Sequence, residues 1–154
     1  MSSIDAQIAK TLAQELRRLE NIIRNNLVKG GISATGTTQS LLNYGVNGSY
    51  GYLVGAAWMS TLETGRGPAK GGGTGGDFIE RLKRWILAKG LQYEGANDLD
   101  RLARFFHWYI NKYGSKMFRL KQTRDVYSSA IDQFEVRVVT ALADVALAEV
   151  EKLV

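Results

Sequence analysis

The chain has no cysteine, one proline and a single histidine among its 154 residues. Without cysteine there is no disulfide framework and no thiol nucleophile, which fits a reducing compartment. One imidazole and no thiolate cannot build a His/Cys metal site, and any Ser-His-Asp arrangement would have to rest on His107 alone. Its neighbours are Phe105, Phe106, Trp108 and Tyr109, so His107 reads as a core or interface histidine. No apolar run approaches the roughly 20 residues of a membrane span. The stretch Met1–Gln7 lacks a basic segment followed by an apolar one, so the expectation is a soluble, intracellular protein with no membrane partner.

What is present is a globular composition, 45% hydrophobic and 23% charged, of the size of one domain spanning 1–154. The net charge of +5 is uneven. Residues 1–80 carry seven Lys/Arg against six Asp/Glu, residues 81–124 eleven against three, and residues 125–154 two against six. A basic middle beside an acidic end fits either nucleic-acid contact or head-to-tail complementarity between subunits.

Hydrophobic periodicity organises the rest. Ile4, Ile8, Leu12, Leu16, Leu19, Ile23 and Leu27 predict one long helix, with Ser3 as its cap and Gly30-Gly31 as its stop. Its length leaves room for part of the stripe to pack on another subunit. Asn47-Gly48 is the pair favoured in tight hairpin turns, between strands at about 41–46 and 50–56. Trp58, Met59 and Leu62 fit a single helical turn. A second helix is predicted over Asp77–Lys89, with Asp77 as cap, Glu80 at the capping-box position, and Ile79, Leu82 and Ile86 inward. A third runs over Asp98–Tyr113, with Leu99, Leu102, Phe106, Ile110 and Tyr113 on one face. Phe105, Trp108 and Tyr109 extend its apolar surface beyond what one neighbour covers. Gly114 stops it, and a basic connector follows. The last helix, about Val126–Leu153, is expected to bury Ile131, Phe134, Val138, Leu142, Val145 and Leu153. The fold class is α+β: long N- and C-terminal helices with a small antiparallel hairpin and two middle helices.

Residues 63–76 hold the only proline and seven of the seventeen glycines, with no large apolar side chain. This reads as an exposed loop, either slack or an interaction element: Glu63, Gly65, Arg66, Gly67, Pro68, Lys70, Gly71, Gly72, Gly73, Gly75 and Gly76. Loops of more than about 12 structureless residues are uncommon unless functional. A phosphate loop needs Ser or Thr directly after its Lys. Here Gly71 follows Lys70, and the hairpin argues against the parallel unit of a dinucleotide fold. No cofactor site is read. Glu63 and Asp77 can be paired on paper as glycosidase carboxylates, but any two acids beside a loop would serve as well. The cations of 81–124 interleave with Trp85, Tyr93, Phe105, Trp108 and Tyr113, the composition of a single-strand-binding face. The same helical periodicity assigns many of these rings to a core. Arg81, Arg84, Arg101, Arg104, Trp108, Lys116 and Arg119 are therefore candidate subunit or DNA contacts.

The order of these features resembles a known family. A long helix precedes Ala34-Thr-Gly-Thr-Thr-Gln-Ser40. Then come the hairpin, Tyr50-Gly-Tyr-Leu-Val-Gly-Ala-Ala-Trp58, Leu62-Glu-Thr-Gly-Arg-Gly-Pro68, a helix with Arg84-Trp-Ile-Leu-Ala-Lys-Gly90, another helix and a closing amphipathic one. This is similar to the head–tail connector proteins of tailed bacteriophages, also described as tail-completion, neck or minor tail components. There a Glu-x-Gly-Thr-Gly-(Arg)-Pro-type segment follows the hairpin, and Glu63–Pro68 stands in its place. The long glycine run after Pro68 and the aromatic helix at 98–113 depart from that pattern. The resemblance implies a non-enzymatic virion protein forming a ring, commonly of six or twelve subunits. Such a ring meets portal or adaptor and tail proteins, with DNA passing through. The bottom-up alternative is a basic nucleic-acid-binding protein.

Overall fold

The computed structural model describes residues 3–32, 35–69 and 76–152. The order of elements is α1 (Ser3–Lys29), α2 (Thr37–Ser40), β1 (Asn43–Asn47), β2 (Tyr50–Val54), a 3-10 turn (Met59–Thr61), α3 (Gly76–Ala88), α4 (Ala96–Tyr113), α5 (Lys116–Arg119) and α6 (Ser128–Glu151). This is the α+β arrangement expected from the pattern. The chain forms two compact units, one of Met1–Gly30, Thr37–Ala57 and Asp125–Val154, the other of Gly31–Gly36 and Trp58–Arg124. Nothing in the apolar pattern, which reads as one domain, marks that division.

In the first unit α1 supplies the core: Leu12, Leu16, Leu19, Ile23 and Leu27 are buried. The helix packs against α6 and the hairpin, while Ile4 and Ile8, at the N-terminal end of the stripe, are half-buried. The hairpin passes close to α1 at Gly51, where a Cβ would stand 2.7 Å from Leu16 Cδ1. Polar ties complete the packing. Arg24 Nη2 donates to Glu20 Oε1 (2.7 Å) and to the Leu42 carbonyl (2.7 Å), Asn26 Nδ2 donates to the Val126 carbonyl, and Arg137 Nε donates to Glu15 Oε2 at 3.0 Å. Gly30 N–H donates to the Asn26 carbonyl and Gly31 turns left-handed at φ +61°, ending α1 as its sequence predicts.

The hairpin pairs Asn47 with Tyr50 and Asn43 with Val54. Its two-residue loop is thus Gly48-Ser49, one place later than the Asn-Gly pair implied. Gly48 has φ +60° while Ser49 is not left-handed, the signs of a type II′ turn, which puts glycine first. Tyr50, Tyr52 and Val54 share the outer face of β2 and are exposed, as the two-residue period requires.

In the second unit α3 and α4 pack through Leu82, Ile86 and Ala103, flanked by Phe78, Ile79, Leu99, Leu102, Phe106 and Ile110. Ala103 is wholly buried; its small side chain lets the two helices come close. Tyr113, expected inward, is exposed. α3 begins at Gly76, so Asp77 is not the cap. It lies in the first turn, where a carboxylate still favours the helix dipole. Gly90 (φ +62°) and Gly114 (φ +82°) end α3 and α4.

Candidate interaction surfaces

The motif Glu63–Pro68 does not hang free. Arg66 N–H and carbonyl both bond Ser115: Ser115 Oγ accepts at 3.1 Å and Ser115 N–H donates at 2.8 Å. Ala69 N–H donates to the Asn111 carbonyl, and Arg124 N–H donates to the Glu63 carbonyl. The Arg66 guanidinium covers the Phe78 ring at 4.5 Å and donates to Asn111 Oδ1 at 3.2 Å. That bond orients the Asn111 amide, whose Nδ2 then donates to His107 Nε2 at 3.0 Å. His107 also stands edge-on to Phe78. The histidine is thus half-buried in a structural network, as its aromatic neighbours imply.

Glycine is required where this strap docks. Gly65 has φ +80°, and a Cβ there would lie 2.6 Å from the Phe118 backbone nitrogen. Gly67 and Pro68 pass over Phe118 and Gly114. The expectation of an exposed loop over 63–76 is therefore corrected for its first half. Glu63, Gly65, Arg66 and Gly67 are half-buried, and only Thr64, Pro68 and Ala69 are exposed. Lys70, Gly71, Gly72, Gly73 and Gly75 lie outside the described residues, and Gly76 opens α3.

A hollow of about 450 Å³ is lined by Gly76, Ile79, Glu80, Arg104 and His107. Its charged groups are already paired. Lys83 bridges Glu80 (2.8 Å) and Asp100 (2.7 Å), and Arg104 Nε bonds Asp100 Oδ2 at 2.6 Å. The hydrogen bond from Lys83, then that from Arg104, holds the Asp100 carboxyl below its usual range. The bond to Asp100, then that to Glu80, pushes the Lys83 ammonium above its own. Among the described residues no group of three His, Cys, Asp or Glu is placed to hold a metal ion. No described helix is long and apolar enough to cross a membrane.

The outstanding surfaces are two helix faces. On α4, Phe105 (52% exposed), Trp108 (50%) and Tyr113 stand outward beside Tyr109. Their rings pack on one another at 5.0–6.4 Å between centroids. Lys112 Nζ lies over both Trp108 (5.0 Å) and Tyr113 (5.1 Å), and Arg119 lies over Tyr109 at 5.0 Å. Residues 101–124 contain seven Lys/Arg and no acid. Arg101, Arg104, Lys116 and Arg119 are exposed around this patch. Arg81, over the Trp58 ring, and Arg84 are exposed on α3.

The second face was not legible as a site. α6 buries Ala130 and half-buries Phe134, Val138, Leu142 and Val145. Ile131, expected in that stripe, is exposed, and Leu153 lies outside the described residues. On the opposite side Val136 (69% exposed), Val139 (67%), Leu147 and Val150 are open to solvent, with Ala143 and Ala146 between them. The spacing 136, 139, 143, 146/147, 150 is a second complete helical stripe. It could have been found by asking for two stripes rather than one. Asp132, Glu135, Asp144 and Glu151 border it.

Comparison with protein-family models, with curated proteins and with solved structures finds no match to this chain.

Proposed function

We propose that the protein is a structural assembly subunit, a ring-forming connector that joins a phage capsid portal to a tail. One observation carries the assembly reading: the helix α6 is apolar on two opposite faces, and only one of them is covered. A stripe of Val136, Val139, Leu147 and Val150 left in water is a feature of chains that bury it on a partner. The order of sequence features, which resembles that of head–tail connector proteins, supplies the biological setting. The ion-paired carboxylates and structurally bonded histidine fit a non-enzymatic role.

The nucleic-acid alternative draws on the basic aromatic face of α4. Rings with Lys112 and Arg119 over them suit a single strand as well as a protein; the apolar stripe of α6, which a nucleic acid would not cover, favours the protein partner. Mass spectrometry of purified phage particles that encode this chain, with immunogold labelling, tests the assignment. Label at the head–tail junction is expected; absence of the chain from intact particles would refute it.

A further inference from the structure

We infer that the exposed stripe of α6 docks on the aromatic face of α4 in a second copy of the chain. This rests on the assembly reading above and names the two surfaces that meet. Both faces are apolar strips along helices, three to four turns long on α6 and about two on α4. Their borders carry opposite charge. The segment 101–124 has seven cations and no acid, while α6 carries five acids and one Arg. That Arg, Arg137, already bonds Glu15 within the chain.

Like-with-like pairing is disfavoured on both sides. Two copies of α6 face to face would bring Glu135 and Asp144 against the same acids. Two α4 faces would oppose Lys112 and Arg119 with their equivalents. Unlike pairing puts acids against cations and buries Val139 against Trp108. The contact is heterologous, so each subunit offers one face to each neighbour. Such a contact closes into a ring or runs on as a filament.

The absence of natural cysteine allows a clean test. Val139→Cys and Trp108→Cys single variants, one carrying a mass tag, are mixed and oxidised. The inference expects the mixed disulfide several-fold in excess over either homodimer. A parallel pair avoids altering the apolar strips. Glu135→Lys with Asp144→Lys, and Lys112→Glu with Arg119→Glu, should each lose assembly while keeping the native circular dichroism spectrum, and should recover assembly, with the two variants in equal numbers, when mixed. A product made up mainly of the two homodimers, each variant linked to its own kind, would overturn the pairing yet leave the assembly reading standing. A chain that stays monomeric and yields no links overturns both.

Discussion

Arg66 covers the face of Phe78 at 4.5 Å while its Nη2 donates to Asn111, so one side chain ties the strap after the hairpin to two helices, α3 and α4. Truncation should cost more than a surface charge. Arg66→Ala is expected to lower stability by about 1–2 kcal/mol, from the lost cation–π contact and hydrogen bond. Arg66→Lys should recover only part, since an ammonium cannot both stack and reach Asn111 in the same way. Urea denaturation of the three proteins measures this; equal midpoints would show that the strap is not held by Arg66.

Gly65 is the sharper test of the docked strap. Its φ of +80° and the 2.6 Å that would separate a Cβ from the Phe118 nitrogen leave no room for a side chain. Gly65→Ala should destabilise by about 1–3 kcal/mol. Gly76→Ala, with nothing within 4 Å, serves as the control and should be near neutral. Thermal unfolding of both variants separates the two positions.

The two faces of the first unit's helices predict opposite mutational behaviour. Ile23→Ala, at a fully buried site on α1, should cost about 2–5 kcal/mol. Val139→Ser, on the outer stripe of α6, should change monomer stability by no more than about 0.5 kcal/mol. A large loss at Val139 in a protein kept monomeric by dilution would mean that the stripe belongs to a core.

Much of this architecture was legible because it is local. The α1 stripe, the glycine stops at Gly30, Gly90 and Gly114, and the inward residues of α3 follow from three- and four-residue spacing alone. Relationships between distant residues were not. Arg66 meets Asn111 and Ser115 across 45 and 49 positions, and no periodicity encodes that. A glycine-rich segment reads as slack until the surface that requires its glycines is known. α6 was ambiguous for another reason: with apolar residues on both sides, the sequence cannot say which side the rest of the chain covers.

Acid and base should loosen the α3–α4 pairing from opposite ends. The Asp100 carboxyl is held below its ordinary value by Lys83 and Arg104. Its contribution is present above the ordinary carboxylate range and is lost as pH falls through the lowered value. Lys83 is raised above its ordinary value by Asp100 and Glu80. Its contribution is full below the ordinary lysine range and disappears as pH rises through the raised one. Between these limits stability should be flat with respect to this network. Asp100→Asn should lower the melting temperature slightly at neutral pH and remove the acid-side dependence. An unchanged acid limb in that variant would show that other groups cause it.

The central claim is assembly, and the mass of the purified protein in solution tests it most directly. Native mass spectrometry or light scattering across a concentration series should show a discrete multiple of the 17.0 kDa chain, weakened by salt as opposed charges are screened. A single species at monomer mass at every concentration, at low salt as well as high, would contradict the account.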